Sequence, residues 1–424
     1  MAQGSGGPGE HGAGDFAVLG RPPAFVRPRH VGFPNVGDRQ ALLRRIEEAL
    51  DRNWLTNDGP LVREFEEAVA AVAGVRHCVA TCNGTLALAT AVRAAGLRGE
   101  VITTPFTFVA TPHALRFHGL TPVFCDIDPR THNLDPAKVE RLITPRTTGI
   151  LAVHLWGRPC AVDELTEIAD RQGITLLFDA AHAFGASFRG RRVGGLGRAE
   201  VFSFHATKFV NAFEGGAIVT DDDELAAEAR LIRNFGIADY DQVTVLGTNA
   251  KMSEVAAAMG LTSLEAREHF TAVNHRNHDA YRAGLEDVPG VELLTYGDVD
   301  ENPRQYVVLE LADSAGLSRD DLQQVLWAEN VLARRYFYPG CHRMEPYRTE
   351  LGAAQRTFPV TDDVAARVLT LPTGTGVTTD DIAVITDVIR RAVAAGPALV
   401  RRLPKRHEEP IPTRAPDQAT TIVV

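Results

Sequence analysis

Cysteine is scarce in this chain of 424 residues. Its five copies, Cys78, Cys82, Cys125, Cys160 and Cys341, are odd in number, and most sit in apolar runs. That argues against a disulfide framework and reads as reduced core thiols in a reducing compartment. No paired C-x2-C set accompanies Cys78 and Cys82, so a zinc centre built from them and a histidine is not expected. Long apolar runs are missing as well. No stretch reaches the ~18 residues that a membrane helix needs, and the amino terminus has no apolar signal region. No membrane association and a cytoplasmic location are therefore expected. Positive charge is not in excess: 44 Lys and Arg stand against 54 Asp and Glu, a net charge of −10. Nucleic acid is thus not the expected partner, although a local basic pocket for a diphosphate remains open. Internal repeats are also absent.

What is present describes an ordinary globular chain, 45% hydrophobic and 23% charged, long enough for two domains. Residues 1–32 combine a Gly-rich start with a Pro/Arg segment and read as a flexible extension. Strand candidates then alternate with helices, the pattern of a mostly parallel sheet. The strands are expected at 77–81, 100–103, 122–126, 148–153, 174–178, 201–204 and 217–220, and the intervening helices at 85–95, 108–117, 136–143 and 162–172. Helical pattern dominates from 224 to about 285. Strands at 291–294 and 306–311 and helices at 318–329 and 379–395 then suggest a smaller carboxyl-terminal α+β domain. The expected division is 33–265 for a large domain, 266–398 for a small one and 399–424 for a flexible, charged, Pro-rich tail.

Chemistry concentrates in two short runs. Lys208 ends Phe202-Ser203-Phe204-His205-Ala206-Thr207-Lys208 and follows Asp179 of Leu177-Phe178-Asp179-Ala180-Ala181-His182 by 29 residues. Each lies just past a strand expected to be buried, so in an open α/β sheet both project into the crevice where ligands bind. An Asp after a strand is often a helix N-cap, and a lone loop lysine is usually solvated. A carboxylate and a lysine facing one crevice, however, are what pyridoxal phosphate (PLP) chemistry needs. The amine can hold the aldehyde, and the carboxylate keeps the pyridine nitrogen protonated. A metal site from Asp179, His182 and His205 would leave Lys208 without work.

The segments Asp179–Gly185 and Ser203–Lys208 resemble two signature segments of the DegT/DnrJ/EryC1/StrS family of PLP-dependent sugar aminotransferases, with similarity spanning roughly residues 33–400. The resemblance implies fold type I, with seven strands in the large domain. Asn83-Gly84-Thr85 opens a helix, a natural phosphate seat, and corresponds to the family's Ser-Gly-Thr with Gly84 and Thr85 intact. An aromatic at the next strand–helix junction can stack on the ring, and the family pattern selects Phe108 over Phe106. Ala181 is small enough to pack on the opposite ring face. His182 either reaches the phenolic oxygen or is a satisfied core histidine. Ser203 corresponds to a family phosphate ligand, whereas His205 either joins the site or only orders its loop. Asn249 matches a family asparagine that reaches the phosphate of the neighbouring subunit, which implies a homodimer. Glu214-Gly215-Gly216 permits a tight return of the chain. The Gly194–Gly197 run does not open a helix in a βαβ unit and is not a dinucleotide fingerprint.

The expected function is transamination of a nucleotide-activated keto-deoxysugar by PLP, with Lys208 as catalytic residue and no metal. His205–Lys208 with Phe213–Gly216 resembles the family's 4-keto-sugar branch more than its 3-keto branch, and that resemblance implies a dTDP-4-keto-6-deoxyhexose, with glutamate as donor, in antibiotic or cell-surface aminosugar biosynthesis. The rivals are a PLP/PMP-dependent sugar dehydratase of the same family, in which a histidine replaces the lysine, and a silent PLP-fold regulatory protein. Lys208 and Asp179 are both present, which disfavours the two.

Overall fold

The computed structural model describes residues 16–296, 301–352 and 357–405. Its centre is a seven-stranded sheet. In chain order the strands are β1 (His77–Thr81), β2 (Glu100–Thr103), β3 (Thr121–Phe124), β4 (Thr147–Val153), β5 (Thr175–Asp179), β6 (Ala199–Ser203) and β7 (Gly216–Thr220). They lie side by side as β1-β7-β6-β5-β4-β2-β3. Neighbours run parallel except around β7, which is antiparallel to both β1 and β6. All seven expected strands are present, two with the expected ends and five with an end shifted by one or two residues.

These strands are buried on both faces, as a parallel sheet covered by helices requires. Successive residues point to opposite sides. Cys78, Ala80, Ile102, Ile150, Ala152, Ala217 and Val219 enter one core, packed with helices Pro60–Ala73 and Glu254–Glu265. Their neighbours Val79, Val101, Leu151 and Ile218 enter the other, beneath helix Gly84–Ala94. Four of the cysteines are buried, Cys82 is half-buried, and all five are free thiols. No helix among the described residues is long and apolar enough to cross a membrane.

Beyond the sheet, helix Arg267–Leu285 leads into a smaller unit with a three-stranded antiparallel sheet. Its strands are β8 (Val291–Leu293), β9 (Val307–Leu311) and β10 (Val368–Leu371), with β9 in the middle. Helices Arg319–Ala328 and Thr379–Val400 share its core. Strand β10 and the helix Pro359–Arg367 before it had no counterpart in the sequence reading. The run Val-Leu-Thr-Leu is too short to show a period, and β9 supplies its register.

The flexible extension expected over residues 1–32 is corrected for residues 16–32, which dock on the small unit. Phe16 and Phe25 are buried in its core. The carboxylate of Glu329 accepts the amides of Ala17 at 2.8 Å and Ala24 at 2.7 Å. Arg29–His30 then pairs in parallel with Val331–Leu332, and Arg29 meets Asp381 at 2.9 Å. Glycine and proline content masked two aromatic anchors. At the other end Leu399 is buried rather than part of a loose tail. The Gly-rich start up to residue 15 and the tail from residue 406 lie outside the described residues.

Candidate active site

A cavity of about 210 Å³ opens at the carboxyl ends of β1, β2, β4, β5 and β6, closed on one side by the small unit. Antiparallel β7 presents its beginning at this same edge, so Glu214 also lines it. Eight of the nine residues singled out from the sequence line this one cavity: Gly84, Thr85, Phe108, Asp179, Ala181, His182, Ser203 and Lys208. They span 125 positions (84 to 208), and the sheet alone brings them together.

Asp179 ends β5 and is buried. Its carboxylate accepts Oγ1–H of Thr111 at 2.7 Å and N–H of Ala181 at 3.1 Å. Burial pushes its pKa up, while those two bonds and Lys208 pull it down. Thr111 in turn lies 2.9 Å from the hydroxyl of Thr107, in the bend before its helix. Lys208 follows β6 on a loop and donates from Nζ to the hydroxyl of Tyr306 at 2.9 Å. Burial lowers its pKa to about 8, and Asp179 opposes that shift. The two groups therefore influence each other across the cavity, each moved by desolvation toward its neutral form.

His182 belongs to a cluster of near-parallel rings, 6.0 Å from Trp156 and 5.8 Å from Phe337, which lie 5.6 Å from each other. Burial pushes the imidazole well below its ordinary range, and the nearby lysine adds to that. Its Nδ1 accepts the backbone N–H of Trp156 at 3.4 Å, so the proton of the neutral ring sits on Nε2. His182 is thus a neutral donor lining the cavity.

The opposite end is built for an anion. Asn83 caps helix Gly84–Ala94: its side chain takes the amide of Leu86 at 2.8 Å, and its carbonyl takes that of Ala87 at 3.1 Å. The amides of Gly84 and Thr85, in the first turn, have no intrahelical partner to take them. A Cβ on Gly84 would stand 3.1 Å from Cβ of Ser203 and 3.3 Å from its Oγ, filling the space between them. One on Gly216 would stand 2.5 Å from the carbonyl oxygen of Asn83, so only glycine lets β7 return beside this turn. Of the two phenylalanines, Phe106 is fully buried beside Trp156 and Phe337, whereas Phe108 lines the cavity, 45% exposed. His205 bonds Thr207 at 2.8 Å through Nδ1 and lies 3.5 Å from Glu214. It orders its loop while its side also borders the cavity.

Asn249 is the exception. It is exposed and pairs with Asn234 in an isolated bridge, outside the lining of its own chain's cavity. Sequence reasoning in turn passed over Tyr306, Thr111 and Arg334; Tyr336 and Phe337 also line the cavity. Tyr306 reads only as the first residue of a strand.

Donor chemistry of this set fits PLP: free amides with two hydroxyls for a phosphate, a buried carboxylate for a ring nitrogen, and a lysine within the same walls. A profile of the DegT/DnrJ/EryC1/StrS aminotransferase family matches residues 37–390. The dTDP-4-amino-4,6-dideoxy-D-glucose transaminase of Escherichia coli is 38% identical over 84% of this chain and 96% of its own length. The GDP-perosamine synthase of Caulobacter vibrioides is 36% identical over 80% of this chain and 91% of its own. Among solved structures, DesI in the presence of its TDP-sugar product superposes with a TM-score of 0.88 at 54% identity, covering 92% of this chain and 98% of that one.

Proposed function

The chain belongs to the DegT/DnrJ/EryC1/StrS aminotransferase family, PLP-dependent enzymes, and from that premise we propose that it transaminates a dTDP-4-keto-6-deoxyhexose with glutamate as donor. The observation that carries the reading is Lys208, buried and lowered to about 8, in one cavity with Asp179 and the Gly84–Thr85 helix start. The choice of thymidine nucleotide rests on likeness to proteins whose names concern dTDP and TDP sugars. Its setting is aminodeoxysugar biosynthesis, for an antibiotic or a cell-surface glycan, in the cytoplasm.

When bound, PLP supplies an aldehyde for the lysine and an electron-accepting ring. The chain's own residues do the rest. Amides of Gly84 and Thr85, with the hydroxyls of Thr85 and Ser203, bind the phosphate. Asp179 holds the proton on the ring nitrogen, and Thr111 and Ala181 hold Asp179 in place. Phe108 and Ala181 would bracket the ring, and Nε2–H of His182 would be the donor for its phenolic oxygen. Lys208 carries a proton to and from the substrate carbon. A pKa near neutrality suits it to take and return that proton. Asn249 serves the phosphate site of a second copy, so the active form is a homodimer.

The test is to offer 3-keto and 4-keto nucleotide sugars with glutamate and identify the product by NMR. A 4-amino-dTDP sugar is expected, with none formed by Lys208→Ala. Amination at C3 alone would overturn the substrate, and undiminished turnover by Lys208→Ala would overturn the mechanism.

A further inference from the structure

Tyr306 stands just before β9 in the small unit, yet its hydroxyl lies 2.9 Å from Nζ of Lys208, on the loop after β6 of the large sheet. Its ring is enclosed. Trp156 meets it edge-on at 5.6 Å, His182 lies 4.5 Å away and Tyr336 6.5 Å. The backbone is fixed too: the carbonyl of Tyr306 accepts the hydroxyl of Tyr296 at 3.0 Å. The adjacent Gln305 donates to the carbonyl of His182 at 2.7 Å. A ring so packed keeps one rotamer, so the scaffold sets where its hydroxyl sits. Burial pushes the phenol pKa well up, and the hydroxyl stays neutral wherever the lysine titrates.

A lysine amine, by contrast, ends a flexible four-carbon stem with freely turning donors. A proton carrier works only when it is aimed. We propose that Tyr306 is a positioning residue for Lys208, its hydroxyl accepting one N–H of the amine and so fixing how the amine faces the reacting carbon. This rests on the proton-carrying role of Lys208 under the proposed function and adds what holds the amine while it acts. One consequence is structural. The lysine belongs to the large sheet and its perch to the small unit, so the amine is aimed only where the two meet.

The groups around the amine are Asp179 at the end of β5, His182 in the following loop, Tyr306, Arg334 and Tyr336 from the small unit, and His205 with Glu214 on its own side. The only lysines in the chain are Lys138, Lys208, Lys251 and Lys405. Competitive acylation of the PLP-free chain with acetic anhydride across pH, read peptide by peptide by mass spectrometry, therefore reports the Lys208 amine directly. The other three serve as references. In the wild type the labelling should inflect near about 8. Tyr306→Phe keeps the ring and its packing but removes the acceptor. An accepted hydrogen bond favours the charged amine, so the inflection should move to lower pH. Turnover should fall about 10- to 100-fold, with KM for both substrates within about threefold of wild type. An inflection that stays, or moves up because the phenol had been donating, overturns the proposal. So does a loss of turnover with unmoved labelling, which would send the hydroxyl to the substrate. If the wild type aminates no nucleotide sugar, the proposed function fails, yet the labelling still decides whether Tyr306 holds the lysine.

Discussion

Asp179→Asn exchanges an oxygen for an NH2 and removes one charge from a fully enclosed position. The fold should accept it. The amide oxygen can keep the N–H of Ala181, now at 3.1 Å. The new NH2 can donate to Thr111, whose hydroxyl is then free to turn its proton toward Thr107, 2.9 Å away. No buried polar group is stranded, so the melting temperature of the variant should stay near that of the wild type. Catalysis should not survive as well, because a neutral amide cannot hold a pyridine nitrogen protonated. A hydrogen bond to a charged group contributes about 1.5–3 kcal/mol, and ~1.4 kcal/mol is a factor of ten in rate. Turnover should therefore fall by about one to two orders of magnitude while PLP remains bound through its phosphate. A second readout has an independent sign. The charge of Asp179 helps hold the Lys208 pKa up against desolvation. Without that carboxylate the amine becomes neutral at lower pH. The uptake of PLP by the unloaded chain needs the neutral amine, so in the wild type its rate should rise with pH through about 8. In the variant the rise should come at lower pH. Stopped-flow absorbance follows uptake, and steady-state assays follow turnover. Turnover within about threefold of wild type, ~0.65 kcal/mol, with an unmoved uptake profile, would reduce Asp179 to a structural cap.

Two further perturbations probe the phosphate end and the assembly. Gly84→Ala places a Cβ 3.1 Å from Cβ of Ser203, inside the anion cradle; PLP affinity should drop about tenfold or more, ~1.4 kcal/mol, in equilibrium dialysis, and unchanged affinity would move the phosphate elsewhere. Mixing the inactive parents Lys208→Ala and Asn249→Ala should restore activity if Asn249 serves a second copy, because each mixed dimer then carries one intact site and one doubly damaged site. Confirmed subunit exchange without recovery would confine Asn249 to its own chain, and a fully active Asn249→Ala would remove its phosphate contact.

How much was legible in advance follows from the range of the interactions involved. Strand-forming runs such as Thr147–Val153 declare themselves, because burial on both faces demands continuous apolar residues over a local stretch. Asp179, Lys208 and the Gly84–Thr85 turn are equally local: each sits at the end of a strand, where this topology always opens a crevice. The sequence by itself therefore determined the sheet, the crevice and the main reactive groups. Residues 16–32 and β10 escaped because their anchors lie far along the chain, Glu329 for the one and β9 for the other. Tyr306 escaped for the same reason. Nothing in Gln305-Tyr306-Val307 marks a tyrosine that meets a lysine 98 residues earlier. The pKa of Lys208 was equally out of reach, since its size depends on how completely two separate units exclude water from one amine. Only the closing of the small unit over the sheet fixes those quantities, because desolvation and hydrogen-bond geometry are properties of the assembled cavity and belong to no single segment of the chain.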